Sequence, residues 1–141
     1  MDNVLEMDEQ KALVTRCHIE NITIISIENS LQFPIEAFIA IVQPFVKMAA
    51  LPEIERRIKK LISLLVNKRY SQGMLKGVPD LFLPQLKLFI EMKRRNGGIV
   101  SLEQQKVHKL LSDFGYTVKV CHGAKEAWES IQEERAKCYM T

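Results

Sequence analysis

Cysteine is scarce and irregularly placed. Cys17, Cys121 and Cys138 are odd in number and share no CxxC spacing, so neither a disulfide framework nor a zinc ribbon is indicated, and reduced thiols packed as small apolar side chains are expected. Long apolar runs are missing as well. A membrane span needs about 20 consecutive apolar residues, and the nearest approach, Ile35 to Leu51, is interrupted by Glu36, Gln43, Pro44 and Lys47. The opening MDNVLEMDEQ is acidic where a secretory signal is basic. No strong excess of one charge is present either, since 20 Lys plus Arg against 17 Asp plus Glu leave a net +3. What remains is a chain of 141 residues, 47% hydrophobic and 26% charged. That composition excludes a largely disordered, collagen-like or coiled-coil protein, and the length suits one core in one cytoplasmic domain without a membrane partner.

Periodicity divides the chain into a mixed α/β order. Glu9 to about His18 reads as a helix with Leu13, Val14 and Cys17 inward, and Ile22–Ile27 switches to β-branched residues near period 2, a strand. Residues 34 to about 69 read as a helical insert, with Pro44 and Pro52 each expected to end or kink a helix. Its second part carries Ile54, Ile58, Leu61, Ile62 and Leu65 on one stripe, with Arg56, Arg57, Lys59 and Lys60 off it. Leu81–Leu83 and Leu88–Met92 read as a hairpin turning at Pro84, Gln85 and Leu86. Ser101-Leu-Glu-Gln104 has the form of a capping box opening a helix that Gly115 closes. A strand over Tyr116–Cys121 and a helix over Ala124–Arg135 burying Ala127, Trp128 and Ile131 complete the order.

The chemistry concentrates in the hairpin. A turn centred between Gln85 and Leu86 places Asp80 directly opposite Glu91, with β-carbons roughly 4.5–5.5 Å apart, where like charges repel. Period 2 puts Lys93 on the same face as Glu91. Two forced carboxylates share a proton or bind a cation, and Mg²⁺ or Mn²⁺ with a nearby lysine suits hydrolysis of phosphodiesters. A surface hairpin in which Glu91 and Lys93 merely pair along the strand is the plainer account of the same residues.

The runs GVPDLFLP, LFIEMKRRNGGIVSLEQQ and YTVKVCHGAKEAWESI resemble the VRR-NUC domain, a branch of the PD-(D/E)XK nuclease superfamily, near-continuously from Lys76 to about Ile131. The resemblance implies a restriction-endonuclease-like α/β core of order αβββαβ, a mixed central sheet flanked by helices, here with a helical insert after the first strand. It implies Asp80 and Glu91 as metal ligands, the Met92 backbone carbonyl as a further one, Lys93 as the group that positions water, and Gln104 near the site. It also matches Asp8-Glu9-Gln10-Lys-Ala-Leu13 to the family's first helix, with Glu9 as the acid that reaches the metal and Glu6 as the alternative. Where family members carry an Asn-Gly-Gly turn after the first strand, this chain has Glu28-Asn29-Ser30.

The expected activity is a Mg²⁺- or Mn²⁺-dependent endodeoxyribonuclease, acting as a homodimer on branched DNA such as Holliday junctions in a bacterial or phage-infected cell. A DNA-structure binding module that does not cut is the alternative. Local charge matters more than net charge for phosphate contact, and Arg56, Arg57, Lys59, Lys60, Lys68, Arg69 and Lys76 run without an intervening acid, with Arg94 and Arg95 beside the hairpin. These nine are the expected DNA contacts. His18, His108 and His122 form no cluster in the sequence and read as structural.

Overall fold

The computed structural model describes residues 6–27 and 34–139, so the Glu28-Asn29-Ser30 turn lies outside the described residues. These form two compact units, one of residues 6–27 and 77–139 and one of residues 34–76.

The first unit runs α1 (Glu6–Ile19), β1 (Ile25–Ser26), β2 (Leu81–Leu83), β3 (Leu88–Lys93), α4 (Leu102–Asp113), β4 (Thr117–His122) and α5 (Ala124–Cys138), with α2 (Ile35–Val42) and α3 (Leu51–Ser71) in the second unit. The four strands lie in sequence order, β1, β2 and β3 antiparallel and β4 parallel to β3. Strand β1 is shorter than the expected Ile22–Ile27. Its partner β2 has only three residues, although Ile27 N–H still donates to the Asp80 carbonyl at 2.7 Å, and Ile22 is used for packing instead.

Alternation sorts the sheet into two faces. Leu81, Leu83, Leu88, Ile90 and Met92 are fully buried and cluster with Leu13, Cys17, Cys121, Ala127 and Ile131 from α1, β4 and α5. The opposite face carries Phe82 stacked on Phe89 at 4.4 Å between centroids, with Tyr116 edge-on to both. Residues on either side of that pair, Asp80 and Glu91, share its face. Helix α4 covers this face, so the sheet is flanked on both sides. Trp128 is half-buried against the core, with the Arg16 guanidinium 4.0 Å from its ring centre.

The second unit contains α2 (Ile35–Val42), two 3-10 turns at Gln43–Phe45 and Met48–Ala50, and α3 (Leu51–Ser71). Pro44 falls in the turn that closes α2, as expected. Pro52 does the reverse of ending a helix. It sits in the first turn of α3, where its missing N–H is one the helix leaves unpaired anyway. No residue of α3 is buried, and its expected apolar stripe leaves Leu61 57% and Leu65 45% exposed. Among the described residues no helix is long and apolar enough to cross a membrane.

If the core face of β3 carries the stability, Ile90→Ala costs about 2–5 kcal/mol of unfolding free energy, whereas Leu61→Ala on the exposed stripe stays within about 0.5 kcal/mol. Urea denaturation of both variants checks the contrast.

Candidate active site

The hairpin reversal fixes the site. Leu83 pairs with Leu88, Phe82 with Phe89 and Leu81 with Ile90, so the next rung sets Asp80 opposite Glu91, as the turn position predicts. A 3-10 turn over Pro84–Leu86 and Lys87 in the left-handed region (φ 48°) close the reversal, and Gln85 Nε2 ties it to Thr23 Oγ1 at 2.8 Å.

Each carboxylate has one oxygen held by a donor. The Met92 amide donates to Asp80 Oδ2 at 2.8 Å. On Glu91, which is 2% exposed, Oε1 accepts from Lys93 Nζ at 2.7 Å and from Gln104 Nε2. Its other oxygen, Oε2, is buried without a hydrogen-bond partner. Burial pushes the Asp80 carboxyl up to about 6, with the Glu91 and Glu6 charges adding to the rise and the Met92 N–H and Lys93 opposing it. Burial also raises Glu91, against the pull of Lys93 and Gln104. Acids paired in this way hold protons more readily than free carboxylates, and a cation would relieve the same repulsion.

Gln104 serves two ends. Its Oε1 accepts from Ser101 N–H at 2.9 Å while Ser101 Oγ accepts from its amide at 3.2 Å, a complete capping box. Its Nε2 meanwhile reaches Glu91, and Lys93 Nζ lies 3.5 Å from the same Oε1. Helix α4 can sit this close because Gly77 (φ +89°) has no side chain. A Cβ there would lie 2.9 Å from the Glu103 carbonyl carbon and oxygen. Gly98 plays the matching part for Lys93, since a Cβ at Gly98 would stand 2.7 Å from Lys93 Cβ and 2.9 Å from its Cδ.

Glu9 is held by other partners. It is buried on the stripe of Leu13 and Cys17, which faces the core side of the sheet, and its Oε2 accepts from the Ala124 amide at 2.8 Å. Arg95 Nε lies 2.7 Å from Glu9 Oε1, an ion pair without hydrogen-bond alignment. Glu6, one turn earlier, is the α1 acid whose charge bears on both Asp80 and Glu91. Among the described residues no three His, Cys, Asp or Glu side chains form a ready-made metal cage. The donors do fit a hard divalent ion of the kind that keeps several waters and takes one or two carboxylates, because Glu91 Oε2 is a buried acceptor with no hydrogen-bond partner.

The basic residues are more engaged than the sequence alone indicates. Arg56 and Arg57 both pair with Glu53, and Lys59 with Glu55, so acids just ahead of the basic run offset it. These pairs are exposed and weak enough to exchange for phosphates. Lys60, Lys68, Lys76 and Arg94 are exposed and Arg69 half-buried, and Arg95 is turned toward Glu9. His108 is the residue that sequence reasoning passed over. It lies one helical turn after Gln104, and its Nε2, buried and without a hydrogen-bond partner, is 3.9 Å from Glu91 Oε2. Burial, helped by Lys93 and opposed by Asp80, lowers its pKa and so favours the neutral ring. The i, i+4 spacing from Gln104 was the available signal.

The family model of the VRR-NUC domain matches residues 9–125 of the chain, a span that contains Asp80, Glu91, Lys93, Gln104 and His108. No curated protein and no solved structure matches the chain.

Two outcomes follow from this geometry. Because the folded-state pKa of Asp80 lies above its unfolded value, its contribution is complete below about pH 4 and is lost as pH rises through about 6, by no more than about 3 kcal/mol. Urea denaturation in EDTA should therefore show the stability of wild type relative to Asp80→Asn falling across that window, and a flat difference contradicts the buried acid. Gly98→Ala should displace the Lys93 side chain while leaving the sheet intact, seen as a large NMR shift change at Lys93 against small changes in the core methyls.

Proposed function

Because the chain belongs to the VRR-NUC domain family, a nuclease-type domain and so an enzyme that acts on DNA, we propose that it is a divalent-metal-dependent endodeoxyribonuclease cutting branched DNA such as four-way junctions. The observation that carries this reading is the pairing of half-buried Asp80 with buried Glu91, with Lys93 bound to one Glu91 oxygen and the other oxygen left without a hydrogen-bond partner. The order of helices and strands in the first unit follows the αβββαβ pattern of the PD-(D/E)XK core, which supports that assignment of the topology.

Asp80 and Glu91, with the Met92 main chain beside them, would hold Mg²⁺ or Mn²⁺. When bound, such an ion neutralises charge developing on the phosphoryl oxygens and acidifies water. The protein's own groups supply the rest. Lys93, with a side chain 12% exposed and fixed by Glu91 and Gln104, donates to the attacking water and orients it toward phosphorus. A P–O bond forms to that water as the bond to the sugar oxygen breaks; the water gives up a proton and the departing oxygen gains one. Gln104 holds Glu91 in place, a positioning role. Arg94 in the first unit and, separately, basic residues of α3 in the second would meet phosphates, and in the second unit exposed Ile41, Phe45 and Met48 offer an apolar surface for a homodimer, which would supply two sites to the two strands of a symmetric branch.

Wild-type protein with Mn²⁺ should cleave a four-way junction in preference to linear duplex. Asp80→Asn and Lys93→Ala should each lower the rate by roughly 100-fold or more while retaining junction binding in a gel-shift assay. Undiminished cleavage by Asp80→Asn rejects the assigned site, and binding without any cleavage by wild type favours the non-cutting module.

A further inference from the structure

Two buried polar atoms on the α4 side of the sheet face one another without a partner. They are Glu91 Oε2 and His108 Nε2, separated by 3.9 Å. That gap is too long for a hydrogen bond, and an unsatisfied buried polar atom costs on the order of 1–3 kcal/mol. Native structures retain such atoms where something else satisfies them. Here there are two, 3.9 Å apart, and Asp80 is close enough for its charge to act on His108.

The separation suits one ion. With bonds of about 2.1 Å, two donors on a single divalent ion stand about 3.0 Å apart when adjacent and about 4.2 Å apart when opposed, and 3.9 Å lies between these limits. The Glu91 side chain is already anchored through Oε1 by Lys93 and Gln104, so Oε2 is presented rather than free to turn away. His108 is carried by the helix whose first turn Gly77 admits to the sheet, and Gln104, four residues earlier on the same helical face, locks that helix to Glu91. The imidazole is thus held by the framework that holds the carboxylate.

We propose that His108 is a nitrogen ligand of the ion held by Asp80 and Glu91, which makes the site a mixed nitrogen and oxygen centre that favours Mn²⁺ over Mg²⁺. The inference rests on the metal-site reading above and deepens it. Carboxylate and water ligands suit Mg²⁺, whereas imidazole suits ions later in the first transition series; Mg²⁺ keeps water at the position that His108 fills for Mn²⁺.

Mn²⁺ bound to the full chain gives the test without any turnover. Pulsed EPR should show ¹⁴N coupling on the wild-type Mn²⁺ signal, and His108→Gln should abolish it. By calorimetry the same variant should weaken Mn²⁺ binding by about 10-fold or more and leave Mg²⁺ binding nearly unchanged. Absence of ¹⁴N coupling in the wild type, a measurement that needs no variant, overturns the assignment, as does its persistence in a folded His108→Gln. Asp80→Asn separates the two levels of the argument. Should it bind Mn²⁺ as tightly as wild type, the metal site itself fails; should it lose Mn²⁺ while the wild type shows no ¹⁴N coupling, only the role of His108 fails.

Discussion

Like charges held opposite each other on an antiparallel ladder repel, and the register of β2 and β3 allows Asp80 and Glu91 no escape. That constraint organises one face of the sheet. Helix α4 packs on Glu91 while Asp80 stays half-buried, and the polar groups around them either soften the repulsion or mark where it is left unrelieved. Lys93 and Gln104 converge on one oxygen of Glu91, the Met92 amide takes one oxygen of Asp80, and the remaining demand for positive charge is concentrated at Glu91 Oε2. An apolar pair at these two positions would avoid both the repulsion and the cost of taking carboxylates out of water.

Close approach makes the arrangement attainable. Gly77 and Gly98 are separated in the chain, yet each removes a side chain from the one place where it would press on a site group, the first from the α4 backbone at Glu103 and Gln104 and the second from the Lys93 stem. The capping box performs an analogous service at the end of α4. A glutamine fixed by Ser101 presents its amide to Glu91 at little conformational cost, because the rotamer is already chosen by the helix end.

Much of this was legible in the residues themselves. The turn position and period 2 were enough to pair Asp80 with Glu91 and to place Lys93 beside them, because register is set by local geometry and one slipped residue would invert every side chain. Ser101 and Gln104 announced the helix start by spacing alone. Glu9 shows what such spacing leaves open. A spacing of four with Leu13 and Cys17 correctly put it inward, but the sheet has two faces, and inward for α1 means the core side, where Arg95 and the Ala124 amide meet it. His108 was hidden for the opposite reason, since its partner is 17 positions away in the chain and a single histidine has no local pattern. The pairing of Arg56, Arg57 and Lys59 with Glu53 and Glu55 was missed because the acids precede the run of bases.

The pairing of β1 with β2 has one more implication. Ile25 faces Phe82 and Ser26 faces Leu81, so the polypeptide departs from this ladder and returns to the adjoining rung after the whole of the second unit. Ring closure of that kind becomes only slowly more expensive with the length enclosed. The excursion is therefore a place where evolution can lengthen, shorten or exchange sequence while the acids remain where they are.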